Sequence, residues 1–599
     1  MKPIRKILVA NRGEIARRVF RACDEMGIAT VSVYSDADRD APHVRDAREA
    51  VWIGPAPSLE SYLSIEKIVA AAERTGADAI HPGYGFLAEN ADFAAACDTA
   101  GIVFIGPRCD VIRAMGSKIE AREIAMRAGV PVVPSDGYPL LVKPAAGGGG
   151  KGMRRVDRAG DLERAMEAAC REAEAAFGDG TLLVERYVEG ARHIEVQIAG
   201  DVYGNVAHLF ERECSLQRRH QKIVEESPAP NLDPEVRGEI LDAAVRIARE
   251  IGYTSLGTVE FLVAPSGEFY FLEVNTRIQV EHPVTEMILG RDLVRMQIEI
   301  AEGRAIETQA LPKGHAIEAR LYAEDAENAF APSTGRILAW RAPQNVRVES
   351  GIEAGTEVGI HYDPLIAKII AHAPTREEAI RKLRHALEST LVHGVITNRE
   401  FLIRVLDHPD FVNGRVTTDF AIPFEHDRSG ESHSKAALEA YLAVTRQAAR
   451  NIVPYVPSGY RNNPFGALVR SKARIVSVTA GGLRAEIDGV QREYVISEDA
   501  NHYWVNDHIF PRVPRYPSSE SRASRESASS PMPGQVLRIL AEPGRDVHIG
   551  DPLVVLEAMK MEQTIYAHAD GVVEQVLVTI GQVVALGQTL VRISGKEKV

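Results

Sequence analysis

Cysteine is scarce in this chain. Its 599 residues hold five (Cys23, Cys97, Cys109, Cys170, Cys214), an odd number with no Cys-x-x-Cys pair. That excludes a disulfide framework and a structural zinc site, and it predicts reduced thiols in a cytoplasmic protein. Long apolar runs are also missing: no stretch reaches the roughly 18 residues that a membrane span needs. The apolar run Ile7 to Ala10 is cut short by Asn11-Arg12-Gly13-Glu14, so it reads as a strand and not as a signal-peptide core. A basic excess is absent too. Lys plus Arg number 70 against 83 Asp plus Glu, a net charge of −13 with both signs spread along the chain. This argues against a nucleic-acid or anionic-membrane partner, while local clusters such as Arg218-Arg219-His220-Gln221-Lys222 remain able to bind a phosphate.

The chain is too long for one core, and a prior of roughly 150 residues per domain suggests about four. Short apolar runs (Ile7 to Ala10, Thr30 to Tyr34, Ala79 to His81, Val103 to Gly106) alternate with helical patterns (Glu14 to Met26, Ile65 to Thr75), the rhythm of a parallel sheet wrapped by helices. After about residue 450 the pattern turns to short strands. Between 518 and 530 seven of thirteen residues are Ser with no large apolar side chain, which predicts a tether able to span on the order of 45 Å when extended. Beyond it, short apolar runs punctuated by Gly544, Gly550, Gly581 and Gly587 read as a small all-β unit.

Within that unit stands Glu557-Ala558-Met559-Lys560-Met561. A lysine between methionines, at a hairpin behind a tether, is presented to a modifying enzyme better than an ordinary surface lysine would be. Together with Pro531-Met532-Pro533-Gly534 and the 39 residues after Lys560, it closely resembles the biotin carboxyl carrier family. The resemblance implies biotin on Lys560, attached by a biotin protein ligase.

A second segment, Lys143-Pro144-Ala145-Ala146-Gly147-Gly148-Gly149-Gly150-Lys151-Gly152-Met153, follows an apolar strand. Its glycines let backbone N–H groups approach phosphate oxygens, although no Lys-Ser/Thr pair makes it a Walker loop. Glu260 and Glu273 sit on alternating strands where burial is costly without a cation, and with Asn275 they offer hard oxygen ligands suited to Mg²⁺. Asn275 to Pro283 then packs a cation, an amide and a carboxylate (Arg277, Gln279, Glu281) into a few residues.

With Ala10 to Ala16, His81 to Leu87, Arg192 to Gln197 and Cys214 to Lys222, these segments resemble the biotin carboxylase family of ATP-grasp enzymes over residues 4 to 425. The fold this implies is α/β: a Rossmann-like N-terminal domain (1–114), an ATP-grasp domain with a mobile lid (115–312) and a C-terminal α+β domain (313–425). A mostly β middle domain (426–517), the Ser-rich linker (518–530) and an all-β barrel-sandwich carrier (531–599) follow. The resemblance further implies ATP contacts at Lys118, Lys143, Gly147, Gly148, Gly149, Gly150, Glu185, His193, Gln217, His220 and Lys222. Metal ligands would be Glu260, Glu273 and Asn275, holding Mg²⁺ or Mn²⁺. Bicarbonate would lie at Arg277, Gln279, Val280 and Glu281, with Glu281 as general base and Arg320 at the biotin ureido oxygen.

Two departures stand out. Family members carry a helix-containing insert before the Gly-Tyr-Pro strand, whereas here Val133-Pro134-Ser135-Asp136 runs almost directly into Gly137-Tyr138-Pro139, so a shortened but working lid is expected. Pro457 to Pro464 resembles the start of the domain that docks acyl-CoA carboxylase α subunits on β subunits, in a region shorter than that domain, and a plain linker domain is the alternative. The leading reading is the α subunit of an acyl-CoA carboxylase (acetyl-, propionyl- or methylcrotonyl-type) with a separate carboxyltransferase β subunit and self-association through the carboxylase half. Pyruvate carboxylase would need a barrel domain this chain does not offer. A biotin carrier and scaffold with an impaired ATP-grasp half is the competing reading.

Overall fold

The computed structural model describes residues 3–145, 152–218, 221–307, 311–424, 426, 429–448, 473–479, 481–512, 527–559 and 561–595. Five short strands open the chain: β1 (Lys6–Val9), β2 (Ala29–Ser35), β3 (Glu49–Gly54), β4 (Ala79–His81) and β5 (Val103–Phe104). They form a parallel sheet in the order β3-β2-β1-β4-β5. Ile7, Leu8 and Val9 are all buried, because helices cover both faces and each strand needs apolar side chains on both. The strand order reverses between β1 and β4, which opens a crevice at their carboxyl ends. Two sequence motifs meet there. The Asn11 side-chain amide, after β1, donates to the carbonyls of Pro82 and Tyr84, after β4, at 2.8 Å each. Gly83 has φ +64°, and a Cβ there would lie 2.9 Å from Asn11 Nδ2, so the closeness of the two loops requires glycine.

The lid survives its shortened connection. Strands β6 (Leu140–Pro144), β7 (Arg154–Val156) and β8 (Leu182–Arg186) form a sheet in the order β7-β6-β8. The helix Leu162–Phe177 packs on it through Ala169, around Leu140, Val142 and Val156. The chain reaches β6 with Val132 bridged to Phe271 and Arg186 Nε donating to the Asp136 carbonyl at 2.9 Å.

One antiparallel eight-stranded sheet then carries the rest of the carboxylase half. Its strands are β9 (Arg192–Gly200), β10 (Val206–Arg218), β11 (Gln221–Ser227), β12 (Ser255–Val263), β13 (Phe269–Asn275), β14 (His315–Tyr322), β15 (Arg347–Ser350) and β16 (Leu365–Ala373), ordered β13-β12-β9-β10-β11-β14-β16-β15. Residues from both sides of the expected 312/313 division thus share a sheet through the β11–β14 pairing.

Downstream, the helix Glu431–Ala448, which the sequence pattern did not suggest, packs against a five-stranded antiparallel sheet (474–511) around Leu483, Ala485, Tyr494 and Val505. His393 of the carboxylase half reaches that sheet, with Nδ1 2.9 Å from Ser497 Oγ and Nε2 2.9 Å from the Asn506 carbonyl. Pro457 to Pro464 lie outside the described residues.

The carrier is a sandwich of two four-stranded sheets. It begins earlier than the Ser-rich composition suggests: Ser527–Ser529 pairs with Thr589–Gly595, and Ala528 and Ser530 are buried. Serine, small enough for a tight sandwich corner, is there a strand residue and not a tether residue. Pro552–Ala558 and Met561–Tyr566 pair up to Ala558 opposite Met561, so two residues close the hairpin, and Met559 adopts φ +51°.

Candidate active site

The cleft between the lid, the central sheet and the segment Thr418 to Ile422 encloses about 800 Å³ and is lined by Lys118, Lys143, Glu185, His193, Gln217, Lys222, Glu260, Glu273, Asn275, Arg277, Gln279, Val280, Glu281 and Arg320. Every described residue expected at the site is therefore in one cavity. Gly147, Gly148, Gly149, Gly150 and His220 lie outside the described residues, as does Lys560.

At the lid end, Lys143 ion-pairs with Glu185, which also takes Arg122 at 2.7 Å, and Lys118 Nζ donates to the Pro144 carbonyl at 2.8 Å. Toward the floor, Gln217 Nε2 lies 2.8 Å from His193 Nδ1, whose Nε2 is 2.6 Å from Glu260. Burial alone would lower the His193 pKa, but the Glu260 carboxylate raises it above the ordinary value.

Lys222 is the hub. Its ammonium touches Glu195 at 2.5 Å, Glu281 at 2.7 Å and Glu260 at 3.0 Å. Burial works against its charge, yet Glu195, Glu260 and Glu281 together hold it well above the usual lysine range. The same contacts act in reverse. Burial would push Glu281 up, but Lys222, then Arg320 and Arg212, hold it well below the usual carboxylate range, so it is ionised at neutral pH. Arg320 Nη2 is 3.1 Å from Glu281.

Arg277 is pinned three ways: to Glu89 (2.9 Å), Gln279 (2.8 Å) and Asn275 (2.7 Å). Gln279 Nε2 donates to Glu260 at 2.9 Å, and the Val280 carbonyl accepts from Lys368 at 2.8 Å. A guanidinium, an amide and a carboxylate thus converge as an oxyanion needs.

Asn275 Nδ2 donates to Glu260 (2.9 Å) and sits 3.4 Å from Glu273. Burial and the neighbouring Glu260 both raise Glu273. Two crowded carboxylates, Glu260 buried and Glu273 half-buried, beside an amide fit a hard divalent cation, which relieves their repulsion. His193, Glu195 and Glu260 also bring ligand atoms within 4.8 Å of one another, so Glu260 belongs to both sets.

Sequence reasoning missed Glu195, Arg212 and Glu89. A signal was present for Glu195: on β9 the polar residues His193, Glu195 and Gln197 alternate with Ile194, Val196 and Ile198, and all six are buried. A polar stripe that is buried on a strand marks a site or an ion network.

A second chamber of about 230 Å³ shares Arg277, Val280, Arg320, Tyr322 and Asp363 with the cleft, and adds Arg12, Glu14, Tyr84 and Tyr362 from the N-terminal crevice and the 360s loop. The carrier docks beside it. The Met559 N–H donates to the Ile360 carbonyl at 2.8 Å. The Met559 side chain is 2% exposed, in one hydrophobic cluster with Val358, Ile352 and Tyr322, while Ile360 packs against the carrier's own core. The residue next to Lys560 is therefore hydrogen-bonded to Ile360, two positions before the chamber's Tyr362.

Comparison with known proteins agrees with this geometry. Residues 3–112 match the biotin carboxylase N-terminal domain, 111–309 the carbamoyl-phosphate synthase L chain ATP-binding domain, 318–422 the biotin carboxylase C-terminal domain and 526–593 the biotin-requiring enzyme domain. The methylcrotonoyl-CoA carboxylase α subunit of Dictyostelium discoideum is 40% identical over 98% of this chain and 96% of its own length. The chain belongs to the biotin-dependent acyl-CoA carboxylase α subunits. Biotin carboxylase 2 of Bacillus subtilis is 49% identical over 69% of this chain and 98% of its own. The solved biotin carboxylase of Campylobacter jejuni, in complex with a β,γ-ATP ligand, superposes with TM-score 0.68 at 45% identity, over 70% of this chain and 98% of that one. In this α subunit an ATP-grasp biotin carboxylase and a biotin carrier thus share one chain, and biotin is its covalent cofactor.

Proposed function

We propose that this α subunit carboxylates the biotin on its own Lys560 with ATP, Mg²⁺ and bicarbonate, and that a separate carboxyltransferase β subunit passes the carboxyl group to methylcrotonoyl-CoA. The ion chain Lys222–Glu281–Arg320, running from the nucleotide cleft into the chamber beside the docked carrier, carries the reading. Relatives named as methylcrotonoyl-CoA carboxylase α subunits, from Dictyostelium discoideum to Mus musculus at 40% identity, support the acyl-CoA.

Arg277, Gln279 and the Val280 backbone hold bicarbonate with its hydroxyl toward Glu281. While Lys222 and Arg320 both face Glu281 it is a weak base. Once Lys222 turns to the nucleotide phosphates, Glu281 recovers basicity and takes the bicarbonate proton as the oxygen attacks the γ-phosphorus. A cation at Glu260, Glu273 and Asn275 would neutralise phosphate charge there. Lys118, Lys143 and the lid glycines Gly147 to Gly150, with Glu185, His193, Gln217 and His220, orient ATP, and the fixed cation of Arg320 stabilises charge on the ureido oxygen.

The division at 114/115, 312/313, 425/426, 517/518 and 530/531 belongs to the same reading, as do a biotin protein ligase that loads Lys560, self-association through the carboxylase half, and a cytoplasmic site suited to five unpaired thiols. The relatives are named mitochondrial, so cell fractionation tests the last point.

Phosphate release by the biotinylated chain should depend on bicarbonate, and carboxyl label should stay on the protein only when Lys560 is present. Glu281→Gln should bind nucleotide normally and lose hydrolysis by on the order of a hundredfold or more; undiminished turnover removes Glu281 as the base. With the β subunit added, label should move to methylcrotonoyl-CoA in preference to acetyl- or propionyl-CoA.

A further inference from the structure

Behind Arg320 lies a pair of acids that the reaction described above does not use. Glu225 on β11 stands directly opposite Glu318 on β14, and Arg320, two residues along β14, stands opposite Lys368 on β16. Glu225, Glu318 and Lys368 have no exposed surface, and Arg320 is 7% exposed. Like charges opposed across a ladder repel, and burying both is costly without a reason. Glu225 has a partner: it forms a close ion pair with the same Arg320 Nη2 that faces Glu281. The guanidinium is therefore tethered by two carboxylates, one inside the bicarbonate site and one behind it.

We propose that Glu225 is a positioning residue for Arg320, holding the guanidinium in the biotin chamber at the stage when Glu281 has taken the bicarbonate proton and no longer attracts it. The proposal rests on the reading of Glu281 as base and Arg320 as the cation at the ureido oxygen. With Glu281 neutral, Glu225 is the remaining carboxylate in contact with Arg320 among the described residues, and without it Arg320 would be free to leave the chamber before transfer. Carboxyphosphate would then break down to CO₂ and phosphate with no acceptor in place, and ATP would be hydrolysed without carboxylating the carrier. Among the described residues neither acid's oxygens have a hydrogen-bond partner, but Glu225 has the ion pair with Arg320 and Glu318 has none, so Glu318, which burial pushes well above the usual carboxylate range, takes the proton the pair must share and leaves Glu225 to Arg320. Lys222 on β11, Glu281, Glu318 and Arg320 on β14, and Lys368 on β16 are the charged groups facing Glu225. Burial raises Glu225 to about 7 against the pull of Arg320, so the tether weakens as pH falls through neutrality.

The readout is a ratio: labelled carboxyl retained on the biotinylated full chain per ATP hydrolysed. Glu225→Gln should lower this ratio about tenfold, more than it lowers hydrolysis itself, because a misplaced group costs transfer and not the earlier step. Glu225→Asp keeps the charge with a shorter reach and should fall between the two, which covers the case in which the amide fails to fold. In the wild type the ratio should fall from pH 8 to pH 6, and the fall should vanish in Glu225→Gln. Equal losses of hydrolysis and labelling in both variants, with the ratio and its pH profile unchanged, overturn the proposal. Arg320→Gln separates the two levels: a low ratio there with a normal one in Glu225→Gln defeats only the positioning role, whereas a normal ratio in Arg320→Gln defeats the reading of Arg320.

Discussion

Arg212 illustrates what holds the site at the scale of single residues. It has no exposed surface, and its donors reach Glu195 (2.5 Å), Gln197 (2.8 Å), Thr258 (3.0 Å) and Thr285 (3.0 Å). A buried ion pair gains little over a hydrophobic pair, but removing Arg212 takes one of two cations, the other being Lys222, from fully buried Glu195 and leaves Gln197, Thr258 and Thr285 without their shared donor. Arg212→Met should therefore destabilise the carboxylase half by about 3–5 kcal/mol, seen as a lower urea midpoint. An unchanged midpoint would mean that Glu195 simply accepts a proton, the direction in which burial already pushes it. The residues proposed for bicarbonate and the metal were nameable from the sequence through the family resemblance that short motifs carry, five of them within Asn275 to Glu281, and the structure brings those five into one cleft. Their partners were not. Arg212 answers Glu195 because β10 pairs with β9 in a register that sets them opposite, and Glu225 meets Glu318 across 93 residues of chain. Cross-strand register is a tertiary property that no local pattern encodes.

At the scale of elements, the hairpin whose strands pair up to Ala558 and Met561 is built against backbone preference at Met559. A two-residue turn between paired strands favours Asn-Gly, whose residues take positive φ without strain; here Met559 takes φ +51° instead. Strain of this kind persists where surrounding contacts over-determine it, and the burial of Met559 against the carboxylase half supplies such contacts. A flexible thioether fills an irregular socket well. Met559→Ala should leave ligase-catalysed biotinylation intact and slow carboxylation of the chain's own carrier about fivefold to thirtyfold, from the 1–2 kcal/mol lost on truncating a buried contact residue. Single-turnover labelling from ¹⁴C-bicarbonate measures this, with free biotin as the acceptor for comparison. Equal slowing with free biotin would place the defect in the catalytic cleft and not in docking. The hairpin itself was readable from the alternation on either side of Lys560. The helix Glu431–Ala448 was not, because its apolar face is mostly alanine and carries little contrast with its polar face.

Across the whole molecule, His393 joins two units. It has no exposed surface, and both ring nitrogens are engaged by the middle domain, Nδ1 with Ser497 and Nε2 with the Asn506 carbonyl. Burial lowers its pKa to about 4, with the Asn506 hydrogen bond pulling weakly the other way. A histidine released to water titrates near 6.5, so the released state binds more protons in between. The contact is therefore at full strength above pH ~6.5 and is lost progressively as pH falls toward ~4. Other buried groups titrate in the same window with both signs, so global stability is a poor probe. Hydrogen exchange in the strands Val490–Glu498 and His502–Val505, corrected for its intrinsic pH dependence, isolates the contact. Protection there should drop between pH 7 and pH 5 in the wild type, and the drop should flatten in His393→Gln, which keeps a donor and an acceptor but cannot gain the proton. Parallel profiles in the two proteins would mean that the middle domain is held to the carboxylase by Arg399–Asp507, the ion pair at 2.6 Å nearby, and that the histidine is a bystander.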